Sequence, residues 1–236
     1  MSPDDVLVRF RGVTKDYRGL RPLRIAELDL HAGRSIALVG FDQPMAEVLV
    51  DLITGAILPD SGDVIAFGRP TSAIPDPDAW LTTLDEFGLL TDRAVLVEQF
   101  TVGQNLAIPI SLAIDDMPPD VKARVADLAR EVGLDRELER QAGVVSPAAR
   151  ARIRLGRALA LGPRVLLAEH PNATLSADDA SAFAADLFRI VEARGLASVV
   201  LTADIGFARA AAREVLVLEP STGALKPSSG WRRWFS

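Results

Sequence analysis

The stretch Ser35–Gly62, SIALVGFDQPMAEVLVDLITGAILPDSG, decides how the rest of the chain is read. It opens with a short apolar run, Ile36-Ala37-Leu38-Val39, that ends at Gly40. Such a run, bounded by a turn residue, fits a strand buried on both faces. A turn over residues 40–47 leads to Val48-Leu49-Val50-x-Leu52-Ile53, which reads as a buried helix. Strand, glycine turn and helix, in that order, form the layout of a phosphate-binding loop, where turn amides and a helix N-terminus meet an anion.

The residues that would grip the phosphate are replaced. A loop of the form G-x-x-x-x-G-K-[ST] uses its second Gly to let the backbone approach the ligand. Its Lys reaches the β- and γ-phosphates, and its Ser or Thr holds magnesium. Counted from Gly40, those three positions are Met45, Ala46 and Glu47. Met45 puts a bulky side chain where the backbone must come close. Ala46 removes a positive charge, Glu47 sets a carboxylate beside a triphosphate, and Pro44 deletes an amide. Together the four changes argue against tight ATP binding. ATP and magnesium are the only cofactors the layout suggests, with Gly40, Asp42 and Glu47 as candidate contacts. The plainer reading is that Gly40 ends a strand and the loop binds nothing.

Bulk properties narrow the classes. At 236 residues, with 49% hydrophobic and 25% charged side chains, the chain suits one large domain with a substantial core. A net charge of −6 argues against a general nucleic-acid binder. The absence of cysteine rules out disulfides and thiolate metal sites and suits a reducing cytoplasm. No uncharged apolar run is long enough to span a bilayer, and MSPDDVLVRF lacks the basic start and apolar core of a signal peptide. The expected location is therefore cytoplasmic. The only lysines are Lys15, Lys122 and Lys226, none after a glycine-rich loop, so a displaced phosphate-binding lysine has few places to sit.

The order and spacing of further landmarks resemble the nucleotide-binding domain of ABC-transporter ATPases. The resemblance starts at Val13-Thr14-Lys15-Asp16-Tyr17, similar to the V-x-K-x-Y of the family's A-loop. It continues through Gly40 to Thr54-Gly55 and Pro59-Asp60-Ser61-Gly62, and then Thr101-Val102-x-x-Asn105-Leu106, similar to T-V-x-x-N-L. Val145 to Leu159 keeps the register of the signature segment L-S-G-G-Q-x-Q-R-V-x-x-A-R-A-L. Leu166-Leu167-Ala168-Glu169-His170-Pro171 is similar to the Walker B end, Asn172 to Ser176 to the D-loop, and Thr202-Ala203-Asp204 to the switch segment T-H-D. The match runs from Val13 to about Leu218. It implies an α/β fold with a P-loop NTPase-like core sheet flanked by helices, an N-terminal antiparallel β part, and a helical subdomain over roughly 92–160.

The resemblance also assigns roles, several to altered residues. Tyr17 would stack on adenine; alternatively it is an edge aromatic covering the sheet. Asp92 stands at the Q-loop position, where the family's Gln touches magnesium and water; alternatively it is a solvated loop carboxylate. Ser146 keeps the signature serine, but the two glycines after it are Pro147 and Ala148 and the Gln is Ala149. As a bare sequence, this is a helix with Ser146 as N-cap and Pro147 in the first turn. Glu169 takes the place of the magnesium-binding Asp, and His170 that of the catalytic Glu. His170 is thus a candidate general base, or a structural hydrogen bonder. The switch histidine is Ala203.

The rest of the chain reads as alternating elements. Strands are expected over Val6–Phe10, Leu23–Leu30, Asp63–Gly68, Leu84–Leu90, Arg164–Ala168, Ser198–Thr202 and Glu214–Leu218. Helices are expected over Asn105–Ala113, Asp120–Val132, Asp178–Ala193 and Ile205–Arg213, with Gly133 a C-cap to the second. The tail, 226–236, gathers Trp231, Arg232, Arg233 and Trp234, which suit a membrane interface or a partner groove, or simply fray. The whole reads as a single domain, 1–236, of an ABC-subunit-like protein with its catalytic groups replaced. Its expected partners are a membrane permease, a second ABC ATPase subunit, or both, which would hold it at the inner face of the membrane; nucleic acid is not expected. The alternatives are a weakly active ATPase built on Tyr17, Glu169 and His170, and a soluble scaffold or regulator no longer tied to transport.

Overall fold

The N-terminal part forms an antiparallel sheet because its apolar residues alternate, as in β1 (Val6–Lys15) and β2 (Leu23–His31). Val8 pairs with Leu30 and Val13 with Ile25, all four buried. A computed structural model describes residues 5–74 and 76–228. After β2 come β3 (Ser35–Val39), α1 (Gln43–Thr54), β4 (Ser61–Ala66), β5 (Arg69–Pro70), α2 (Pro77–Leu84) and β6 (Phe87–Leu90). Next are α3 (Val102–Ala107), α4 (Pro119–Glu131), α5 (Pro147–Leu159), β7 (Val165–Glu169) and α6 (Ala177–Arg194). The described chain closes with β8 (Ala197–Leu201), α7 (Ile205–Ala211), β9 (Glu214–Glu219) and β10 (Ala224–Pro227).

One sheet has the order β2-β1-β4-β5; the other, central sheet has the order β10-β9-β3-β8-β7-β6. In the central sheet β6, β7, β8, β3 and β9 run parallel, and β10 turns back antiparallel on β9. Period-two alternation sends the strand residues into two separate cores. Ile36, Leu38, Val165, Leu167, Val199 and Leu201 join α1 and the antiparallel sheet. Ala37, Leu166, Ala168 and Val200 face the other way, onto α3 to α7. The central sheet is therefore covered on both faces, which explains why its strands read as continuous apolar runs.

Three expectations change. Leu84–Leu90 is not one strand: Leu84 ends α2, and β6 begins at Phe87. Helix α2 was hidden by the Pro/Ser-rich composition of 70–77, yet Asp76 caps it, accepting from the Ala79 amide at 2.8 Å, and Pro77 opens it. The helix expected over 105–113 lies instead over Val102–Ala107. Thr101 and Gln104 form a reciprocal capping box at its start, and Pro109 lacks the N–H that would continue it. Strand β10 extends the sheet beyond Leu218. The Trp/Arg part of the tail, 229–236, lies outside the described residues. Among the described residues, no helix is long and apolar enough to cross a membrane.

Candidate functional site

The parallel strands β3, β6, β7 and β8 end on the same side of the sheet, so the segments after them, 40–43, 91–93, 170–172 and 202–204, share one crevice. Crevices at the carboxyl ends of parallel strands are where open α/β sheets bind ligands. Gly40, at φ +97°, turns the chain out of β3 through a conformation disfavoured for residues with a Cβ. Helix α1 then starts at Gln43, earlier than expected, so residues 43–47 form its first turns instead of an open loop. Asp42 is its N-cap: the side chain accepts from the Met45 amide at 2.9 Å and the carbonyl from the Ala46 amide at 2.9 Å. Those amides are committed, Pro44 has none, and a carboxylate already sits against the positive end of the helix. Ala46 is fully buried and faces the core.

At the end of β7, the side chain of Glu169 is only 1% exposed. One oxygen accepts from the Gln43 amide at 2.5 Å, the other from the Arg93 guanidinium at 2.8 Å. Arg93 also lies 3.7 Å from Asp51 of α1, and Gln43 reaches Glu47 at 3.2 Å. Burial pushes the Glu169 carboxyl above the usual glutamate range, against the lowering effect of Arg93. Burial likewise raises Asp51. For Arg93, burial acts downward, but the charges of Glu169, Asp51 and Glu47 hold its pKa above the usual value.

The candidate residues divide accordingly. Glu47 and Glu169 come together through Gln43, while Asp42, one residue before Gln43, lies near Tyr17. Burial raises the Tyr17 phenol, and Asp42 is near enough for its charge to raise it further. Asp92 is a half-exposed loop carboxylate that forms an ion pair at 3.2 Å with Arg154 of α5. His170 holds a positive φ of 42°, its backbone N–H donates to Leu201 at 2.8 Å, and its ring Nε2 is buried with no hydrogen-bond partner among the described residues. Beside it Thr202 donates to Asn172 at 2.9 Å, while Ala203 offers no functional group. Ser146 stands apart, capping α5 by accepting from the Ala149 amide at 3.1 Å.

Arg93, Gln43 and Asp51 are the residues that sequence reasoning missed. It looked for a displaced cation among the three lysines, whereas the cation in the crevice is an arginine immediately after Asp92. As arranged, these groups do not fit a magnesium–triphosphate. A guanidinium engages the buried carboxylate of Glu169 at the strand end, and the Met45 and Ala46 amides are engaged by the Asp42 cap. No group of three or more His, Asp or Glu side chains among the described residues is placed to hold a metal ion.

Fold and crevice together define a nucleotide-binding-domain architecture of the ABC ATPase kind. The ABC transporter family profile matches residues 23–173, and the chain belongs to that family. It is 29% identical over 219 residues to the methionine import ATP-binding protein MetN of Bradyrhizobium diazoefficiens. That match covers 90% of this chain but only 63% of the relative's length. It is also 29% identical over 199 residues to the lipoprotein-releasing system ATP-binding protein LolD of Gluconobacter oxydans, covering 83% of this chain and 86% of that one. Among solved structures, cbiO1 of Clostridium perfringens, part of the ABC transporter complex cbiONQ, superposes with a TM-score of 0.79 at 18% identity, covering 94% of this chain and 87% of that one. The dimeric bacterial ABC transporter cassette MJ0796 superposes with a TM-score of 0.73 at 21% identity, covering 89% and 94%. At these identities the structural likeness speaks for the fold alone.

Proposed function

We propose that this chain acts as a non-hydrolysing subunit of a membrane transport complex, structural or regulatory in role, in place of an ATP-driven motor. The observation that supports this most is the charge cluster in which Arg93 and Gln43 satisfy Glu169 while Asp42 caps α1 through the Met45 and Ala46 amides. The cytoplasmic side of a permease, or a second ATPase subunit, is the proposed partner. Segment 92–160, the proposed helical subdomain, is its docking face. A cleft of about 410 Å³ there, lined by Thr101, Gln104, Met117, Lys122 and Leu138, lies away from the charge cluster. The relatives' names associate them with methionine import and lipoprotein release, and neither cargo is carried over to this chain.

A second reading, a weakly active ATPase, draws on the unpartnered Nε2 of His170 beside Glu169. Phosphate release from Mg-ATP by the purified protein separates the two. The first reading expects no turnover above background, with His170→Ala indistinguishable from the parent. Turnover that His170→Ala abolishes would overturn it in favour of the second.

A further inference from the structure

Within the charge cluster, two adjacent residues of opposite charge face different parts of the molecule. Arg93 reaches Glu169 at the end of β7 (2.8 Å) and Asp51 on α1 (3.7 Å). Asp92 reaches Arg154 on α5 (3.2 Å). These pairs differ in exposure: the Glu169 side chain is 1% exposed and that of Arg154 is 19%. Nearby, Arg157 of α5 donates to the carbonyl of Val95 at 2.8 Å, a second tie from the same helix to the same segment. The segment following β6 is thus fastened to the sheet and α1 on one side and to α5 on the other.

We propose that Asp92-Arg93 is a permanent electrostatic clasp, with Arg93 as the resident cation of the crevice, fixing α5 relative to the central sheet without any bound nucleotide or metal. The proposal rests on the non-hydrolysing reading above and deepens it by naming what holds the crevice in one state. The charges fit the role. Glu169 is desolvated and depends on a cation, because an uncompensated buried carboxylate is strongly disfavoured. Arginine suits this better than lysine, since its planar fork serves two carboxylates at once and stays charged when partly buried. A clasp of this kind makes the position of α5 a constant of the structure, where a ligand-dependent contact would make it a variable.

The test is a double-substitution cycle combined with amide hydrogen exchange on the full chain. Arg93→Met should lower the thermal midpoint by more than about 5 °C and speed exchange at least tenfold over 91–97 and the first half of α5. Adding Glu169→Gln to Arg93→Met should recover most of the loss in midpoint, because the buried charge is then gone, while exchange over 91–97 stays fast. Asp92→Asn should speed exchange in α5 with little change in α1. If Arg93→Met does not accumulate as folded protein, Arg93→Lys and the double variant carry the test: exchange over 91–97 must be faster than in the parent in both. Parent-like midpoint and exchange in Arg93→Met, or parent-like exchange in those two variants, overturns the clasp. Neither result touches the non-hydrolysing reading, which fails separately if the unmodified protein turns over Mg-ATP.

Discussion

Ser146 shows what one hydroxyl contributes once its family role is set aside. It satisfies the Ala149 amide at the start of α5, with Pro147 preset for the helical turn. Ser146→Ala should therefore cost about 1 kcal/mol, a fall of roughly 2–4 °C in thermal midpoint for a chain of this size, and scanning calorimetry would measure it. No loss at all would mean that the cap is replaced by water. This cap was legible in the sequence because Ser-Pro ahead of an amphipathic run is a local signal. Glu169 was legible as the residue at the end of a buried strand, but its partner was not. Arg93 is 76 residues away in sequence, and only the parallel pairing of β6 with β7 brings the two segments side by side. The ion-pair partner of Asp92 was not legible for the same reason, Arg154 lying on a helix that folds back from later in the chain.

At the scale of elements, close packing and cross-strand charge carry the predictions. Gly88 in β6 lies against α5, where an added Cβ would sit 2.5 Å from the Ala158 carbonyl oxygen and 2.9 Å from Pro163. Since one of these is backbone, the clash cannot be relieved by a rotamer change. Gly88→Ala should destabilise by about 1–3 kcal/mol, read as a lower denaturant midpoint with unchanged slope. Between β1 and β2, Arg11 and Arg9 bind Asp29 at 2.6 and 3.2 Å. The hydrogen bond from Arg11, helped by both guanidinium charges and opposed by burial, holds the Asp29 carboxyl below its usual range. A lowered folded-state pKa means the unfolded chain binds the proton more tightly. This stabilisation is therefore present above the ordinary aspartate pKa and lost as pH falls through the lowered value. These side chains are partly exposed, so Asp29→Asn should cost at most about 1 kcal/mol at neutral pH, and the gap should close in strong acid. Denaturant midpoints at pH 7 and below pH 3 test this; an equal deficit at both would show that the charge is not its cause. The central strands were legible because both their faces are buried. Helix α2 and the early start of α1 were obscured by Pro77 and Pro44, which read as breaks but sit in the first turn of each helix.

For the whole molecule, the two cores place α1 between the sheets and α5 on the opposite face of the central sheet, and ion pairs from the segment after β6 reach both the end of β7 and α5. The family's architecture is kept, with landmarks in order along the chain, while the segments at the ends of its strands carry a helix cap at Asp42 and a buried Glu169 held by Gln43 and Arg93. The architecture could be read from the sequence because it follows from strand order and apolar periodicity over the full length. These contacts could not, because they join segments at the ends of three different strands.

The proposed function requires that this crevice take up no nucleotide, and isothermal titration of Mg-ATP into the full chain is the decisive measurement. At protein concentrations able to resolve a millimolar dissociation constant, the account predicts no binding heat beyond dilution. A saturable isotherm with a micromolar dissociation constant would contradict it and would mean that Arg93 and Asp42 yield their positions to a ligand.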